Sequence, residues 1–314
     1  MKVLLIDVNC KNSSTGKIVY DLHHKLREDG HQAAICYGRG EKIYEPEIYK
    51  FGLDWETLLH ALLARTTGLN GCFSYFSTKR LIKFIDDYKP DVIHIHELHA
   101  YFVNIKLLLE HIKKRKIKVV WTFHCEYMYT GKCGYAYDCE AWKTQCSNCP
   151  AISQYPKSLF WDRTKRMFRM KQELLEDLEM VIVTPSKWLA DRVQQSFLQK
   201  KTTQIIHNGI DTETIFYPRK SDGLYKKFGI EGRKIILAVA PNIMDERKGG
   251  SHILKISESF QNDVVFVMIG TEVTGWHSSN VLMIKKTKNQ NELAEWYSLA
   301  NVFLICNSTQ KQLI

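Results

Sequence analysis

The 314-residue sequence has no apolar run near the roughly 20 residues that a membrane-spanning helix needs. Its opening, MKVLLIDVNCKNSS, turns polar too early for a secretory leader. A cytoplasmic chain is therefore expected. There is no internal repeat and no low-complexity tract, which excludes a solenoid array and a long flexible linker. Nor is there a nucleic-acid-binding motif: the basic residues are scattered among helical segments and form no single stretch. The formal charge of +10 then points to phosphorylated small molecules or an anionic membrane surface, with no nucleic-acid partner.

What is present is ordinary globular material, 45% hydrophobic and 25% charged, and long enough for two domains. Nine cysteines in a cytoplasmic chain are expected to be reduced thiols, so a clustered set reads as a metal site before a disulfide framework. Four of them, Cys133, Cys139, Cys146 and Cys149, follow the pattern C-x5-C-x6-C-x2-C. Four thiolates suit tetrahedral zinc, and a closed site of that kind staples a loop without an open position for catalysis. Buried thiols or redox pairing are the alternatives.

The chain alternates strands and helices. Lys2 to Val8, Ala33 to Tyr37, Val92 to Glu97, Val119 to Phe123 and Val181 to Thr184 read as buried strands, separated by segments of helical period. The first βαβ unit carries Asn12-Ser13-Ser14-Thr15-Gly16 at the start of its helix, where backbone N–H groups favour an anion; Ser14 or Thr15 could equally serve as an N-cap. Trp55 to Ala64 and Thr78 to Tyr88 are amphipathic, with faces expected to join the core. His94 and His96 alternate onto one strand face and His99 follows, a pattern shared by a metal pair and by a polar cleft edge. His124 ends the strand that begins at Val119, where open parallel sheets place their chemistry. After the cysteine loop a long charged helix is expected from Leu159 to Leu178.

Asn208-Gly209 reads as a turn, and a domain boundary is expected near residues 205 to 220, giving units 1–205 and 206–314. The second unit opens with the strand Lys234 to Ala240 and the loop Asp245-Glu246-Arg247-Lys248-Gly249-Gly250 at a helix start. Two adjacent cations there suit a diphosphate, with the glycines permitting close approach; a solvated charged turn is the plainer reading. Val302 to Cys306 reads as a fourth strand of this second sheet, with Asn307 to Ile314 after it.

Taken in order, STGKIVYDL, YGRG, KPDVIHIHELHAYFVN, VVWTFHCEYMYTGKC, WKTQCSNCP, TPSKWLADRV, IHNGIDTETIF and ERKGG resemble the family 4 retaining glycosyltransferases. The similarity is to a bacterial branch of surface-polysaccharide and colanic-acid-type assembly. The resemblance implies an α/β GT-B fold of two Rossmann-like domains, the second incomplete. It also implies transfer of a sugar from a nucleotide-sugar donor to a saccharide or lipid-linked acceptor, with no catalytic metal. It places Thr15 and Gly16 near the donor phosphates and acceptor, His124 near the transferred sugar, and Arg247 and Lys248 on the leaving diphosphate. Asn208 and Gly209 match an interdomain turn, and lipid-linked acceptors imply peripheral membrane contact. There are two departures: Asn242 stands where the family often has arginine, and no E-x7-E pair follows Cys306. The second expectation is accordingly a non-catalytic remnant or binding module that keeps the acceptor surface.

Overall fold

The computed structural model describes residues 1–220, 222–287 and 289–306. The expected tail after Cys306 lies outside them. The chain divides into two compact units, the first ending at Asn208 and the second beginning at Gly209.

The first unit contains strands β1 (Lys2–Asp7), β2 (Gln32–Tyr37), β3 (Ile48–Lys50), β4 (Val92–Ile95), β5 (Lys118–Thr122), β6 (Met180–Thr184) and β7 (Thr203–Ile205). They form one parallel sheet in the order β3-β2-β1-β4-β5-β6-β7. The apolar runs of β1 and β2 are buried on both faces, as a parallel sheet sandwiched by helices requires. The strand order reverses between β1 and β4, so the crevice past their carboxyl ends is the natural ligand position of the fold.

Helices α1 (Ser14–Glu28), α2 (Asp54–Thr67), α3 (Tyr75–Tyr88), α4 (Ile105–Arg115), α5 (Thr164–Glu176) and α6 (Lys187–Gln194) complete this unit. The N-cap of α1 is Ser13, whose hydroxyl accepts the Gly16 N–H, so neither Ser14 nor Thr15 fills that role. Helix α5 starts at Thr164, well after the expected Leu159. The Leu159 N–H is spent on the Arg65 carbonyl of α2, and Asp162 accepts from both the N–H and hydroxyl of Thr164. Those contacts hold residues 158–163 out of the helix.

Helix α2 departs further from expectation. Its apolar stripe Trp55, Leu58, Leu59 and Leu62 is exposed, whereas Glu56, Thr57 and His60 face inward. Glu56 is the reason: its carboxylate accepts from the N–H groups of Phe76 and Ser77 and from the Ser77 hydroxyl, satisfying the start of α3. His60 adds bonds to Ser74 Oγ and from Gly71 N–H. The helix is anchored by its polar side.

The second unit contains α7 (Asp222–Phe228), β8 (Lys234–Val239), α8 (Gly250–Ser257), β9 (Val264–Thr271), β10 (Gly275–Ser278), β11 (Val281–Lys285), α9 (Gln290–Leu299) and β12 (Val302–Phe303). Its sheet order is β10-β11-β9-β8-β12, with β10 antiparallel to β11 and the other pairs parallel. A Leu–Ile–Val core around Leu237, Val267 and Trp296 fills one side of it. Among the described residues no helix is long and apolar enough to cross a membrane.

Candidate functional site

Asp7 ends β1 with its side chain fully buried. One carboxylate oxygen accepts the Glu97 N–H at 3.0 Å, and the other accepts the Thr15 hydroxyl at 3.0 Å. Asp7 therefore joins the loop before α1 to the segment after β4. Burial pushes its carboxyl up to about 7, against the downward pull of the Glu97 N–H. Gly16 sits in the same first turn of α1, where an added Cβ would lie 2.8 Å from Ser13 Oγ and 3.1 Å from the Asn9 backbone. A side chain there would disturb the cap.

Next to Asp7, the adjacent strands β4 and β5 bring a set of imidazoles together. His94 and His96 do share a face, with ring centroids 4.4 Å apart. One nitrogen of each is engaged: His94 Nε2 meets Thr122 Oγ1 at 2.8 Å, and His96 Nδ1 meets His124 Nε2 at 3.0 Å, while His96 Nε2 is buried without a hydrogen-bond partner. His124 itself lies two residues beyond the end of β5 and stacks on His96 at 5.3 Å. Burial pushes His94 down to about 4 and lowers His96 and His124 as well, so this trio is neutral near pH 7. A neutral His124 can donate or accept a hydrogen bond to a sugar hydroxyl; it carries no fixed charge.

His99 turns away from the other imidazoles. Its Nε2 lies 2.6 Å from Glu97 Oε2, and Cys125 Sγ lies 3.5 Å from that same oxygen. Burial pulls His99 down, but the Glu97 carboxylate and Cys125 outweigh it and hold it well above the usual imidazole range. Sequence reading passed over Asp7 and Glu97. Their signal was an acid at the end of an apolar run, KVLLID and VIHIHE, at the same sheet edge.

The cysteine loop is packed. Cys133, Cys139, Cys146 and Cys149 all line one cavity of about 20 Å³, together with Trp142 and Thr164. The Gly131 N–H reaches Cys146 Sγ at 3.1 Å. The neighbouring Cys149 and burial drive the Cys133 thiol up, and Cys133 in turn holds Cys149 below the usual thiol range. Among the described residues, however, the set of three or more metal-capable side chains whose ligand atoms converge within 4.8 Å is Glu97, His99 and Cys125. The four sulfurs share a cavity but are spread around it. The loop also has anchors that its cysteines did not announce. Buried Glu126 accepts from Tyr129 OH, the Ala136 N–H and Arg192 Nε, and buried Lys171 donates to the carbonyls of Tyr127 and Thr130.

In the second unit, Arg247 and Lys248 occupy a 3-10 turn closed by Asp245, whose side chain accepts the Arg247 N–H. Arg247 is bound bidentately to Asp245 at 2.9 and 2.6 Å. Lys248 is exposed. The two glycines serve packing: a Cβ on Gly249 would sit 2.0 Å from the Cys306 carbonyl oxygen, and one on Gly250 would sit 2.3 Å from that of Ile243. Gly249 also has φ +68°, which favours glycine. Asn208 and Gly209 form no turn. Residues 206–210 are irregular, and the following turn is held by Asp211, which accepts the N–H groups of Glu213 and Thr214. Thr15, Gly16 and His124 thus belong to the first unit, and Gly209, Arg247 and Lys248 to the second.

Two Rossmann-like α/β units, with polar side chains gathered past the carboxyl ends of β1, β4 and β5, give the GT-B architecture of glycosyltransferases. Residues 15–214 match Glycosyltransferase Family 4, and the chain belongs to that family. Over 229 residues it is 27% identical to the protein of Escherichia coli (strain K12) named for colanic acid biosynthesis, glycosyl transferase WcaC. That alignment covers 68% of this chain and 56% of the relative, so the chain spans little more than half the length of WcaC. The catalytic domain of starch synthase IV from Arabidopsis thaliana, bound to ADP and acarbose, matches with a TM-score of 0.60 and 12% identity. This chain is covered to 98% and that one to 78%. Anabaena HepE with UDP and glucose matches with a TM-score of 0.58 and 11% identity, over 98% and 74% of the two chains.

Proposed function

We propose that this protein transfers a sugar from a nucleotide-sugar donor to a saccharide or lipid-linked acceptor in polysaccharide assembly, with retention of anomeric configuration. The supporting observation is the Thr15–Asp7–Glu97 network beside neutral His124, at the switch point where the fold takes its ligands. In this reading His124 hydrogen-bonds the transferred sugar, and Thr15 and Gly16 flank the phosphates and acceptor. Lys248 offsets the charge that develops on the leaving diphosphate, with Arg247 beside it. Asn208 and Gly209 contribute to substrate binding. No metal takes part in transfer. The neighbours hold ADP in one case and UDP in another, so the base is for the test to decide. Calorimetry with UDP, ADP and GDP should give micromolar binding of one of them. Absence of heat for all three, from folded protein, would reduce the chain to a binding module without a donor site.

The cysteine loop is assigned a structural zinc ion. Four thiols around a cavity of about 20 Å³, large enough for one small ion, fit that donor set. The sulfurs would have to draw inward. Zinc content should fall by one equivalent per chain in Cys146→Ser, and an unchanged content would refute the assignment.

Peripheral contact with an anionic membrane is the third part of this reading. Trp55, Leu58, Leu59 and Leu62 on α2, with Tyr75 and Phe76 at the start of α3, leave a cluster of large apolar side chains in solvent. Leu159, Phe160 and Trp161, exposed beside the end of α2, extend it. Lys79 lies over Tyr75 and Arg163 over Trp161, adding cations to the aromatic surface. An apolar stripe bordered by cations suits the headgroup boundary of anionic lipid. Leu58→Glu with Leu62→Glu should abolish sedimentation with phosphatidylglycerol vesicles at low salt. Equal binding by the double variant and the parent would rule the face out.

A further inference from the structure

We propose that Glu97, His99 and Cys125 form a second metal site, for a borderline-soft divalent cation such as zinc, distinct from the four-thiol set and adjoining, through the Glu97 backbone, the network behind the sugar-transfer reading. Glu97 and His99 leave the sheet after β4, and Cys125 leaves it after the neighbouring strand β5. Parallel pairing with Ile95 opposite Trp121 brings the two segments out side by side. The spacing Glu-x-His sets both side chains on one side of an extended segment.

The donor atoms are already gathered. Glu97 Oε2 and His99 Nε2 are 2.6 Å apart, Cys125 Sγ is 3.5 Å from the same oxygen, and all three lie within 4.8 Å of one another. Zinc bonds of about 2.0 to 2.3 Å at tetrahedral angles separate ligand atoms by roughly 3.3 to 3.7 Å. The sulfur–oxygen pair already has that spacing, and the imidazole need move by less than about 1 Å. One sulfur, one nitrogen and one oxygen favour zinc or cobalt over magnesium or calcium, which take oxygen ligands. On binding, the Cys125 thiol and the His99 Nε2 each release a proton to solvent, so the sulfur coordinates as thiolate and the imidazole as the neutral ring.

Outer contacts hold Glu97 and His99 in place, as they do around metal-binding histidines. His99 Nδ1 lies 3.5 Å from Tyr155 OH, which leaves Nε2 directed at the cluster. Its ring also meets Tyr127 and Tyr155 edge-on. The Glu97 backbone is fixed by Asp7, and Trp121 Nε1 donates to the His96 carbonyl next to it. His94, His96 and His124 contact Thr122 and one another, and their nitrogens are not among the converging donor atoms. Three protein donors leave one tetrahedral position for a solvent oxygen, unlike the closed four-thiolate loop.

The test is metal counting on the full chain, loaded with zinc and freed of excess by gel filtration. His99→Ala should hold one zinc fewer per chain than the parent, and Glu97→Gln should weaken that equivalent by at least the roughly 10–100-fold that loss of a mere outer-shell partner costs. Cobalt-loaded protein should lose part of its thiolate-to-cobalt absorption in Cys125→Ser, while the share due to the four-cysteine loop persists. Cys146→Ser should leave the His99-dependent equivalent in place, which separates the two sites. Circular dichroism checks folding, and Glu97→Gln stands in if His99→Ala does not fold. Equal zinc content in folded parent, His99→Ala and Glu97→Gln, with an unchanged cobalt spectrum in Cys125→Ser, would overturn the proposal.

Discussion

Arg192→Met is expected to destabilise the first unit by about 3–5 kcal/mol, because it strands the buried carboxylate of Glu126. Glu126 is 1% exposed, and Arg192 is its one cationic partner among the described residues. The guanidinium also lies between two indoles, 4.5 Å from the Trp142 ring and 5.0 Å from that of Trp188. Losing it removes the charge partner and the surface against which Trp142 packs. Methionine retains much of the apolar volume, so the expected cost is electrostatic more than a cavity. For a unit of this size the midpoint of thermal unfolding should fall by roughly 6–20 °C. Glu126→Gln in the same chain should recover most of it, since the amide oxygen can still accept from Tyr129 or Ala136 without a buried charge. Calorimetric unfolding of the single and double variants measures this. A single-variant loss below 1 kcal/mol would mean that the pair does not anchor the cysteine loop.

That anchor could not be read from the sequence, and the reason is physical. Arg192 and Glu126 are 66 residues apart and meet only because β5 and β6 are adjacent, which brings the loop after one beneath the helix after the other. The strands themselves were legible because a parallel sheet buries both faces and leaves uninterrupted apolar runs such as VLLI and VVW. The exceptions lack that signature. β3 is a three-residue edge strand of half-buried residues, and β10 is an antiparallel edge strand with three of its four residues exposed. Helical period located α2 correctly but not its inward side, because hydrophobicity alone assigns the apolar stripe to the core. Three donors at the start of α3 reverse that assignment through Glu56.

The candidate site divides along the same line. His124 was legible from its place after a strand, and its pairing with His96 follows from the register of β4 against β5. Asp7 and Glu97 were not, since an acid at a strand end looks like an ordinary turn residue until burial is known. Thr15 was legible as a polar residue at a helix start, but its partner is a carboxylate. Any anion bound there must be compatible with Asp7, whose raised acidity range keeps part of its population neutral near pH 7.

On the proposed reading, Lys248→Ala should reduce sugar transfer by about 10²–10³-fold, whereas Arg247→Ala should reduce it by roughly 10-fold or less. The two cations are adjacent in sequence but differ in what they have to offer. Arg247 is clamped by both oxygens of Asp245, which already neutralises it before a diphosphate arrives. Asp245 is held down to about 2 by that guanidinium, so the clamp persists throughout the working pH range. Lys248 is exposed, and among the described residues its ammonium makes no ion pair or hydrogen bond. Its charge is available to the β-phosphate as the glycosidic bond breaks. Asp245→Asn provides the internal control: by removing the carboxylate charge beside Arg247 it should soften the Lys248→Ala defect in the double variant. Steady-state turnover of the preferred nucleotide sugar in all four forms separates these effects. Equal losses for Lys248→Ala and Arg247→Ala would show that this turn does not distinguish its cations, and the leaving-group role of Lys248 would fail with it.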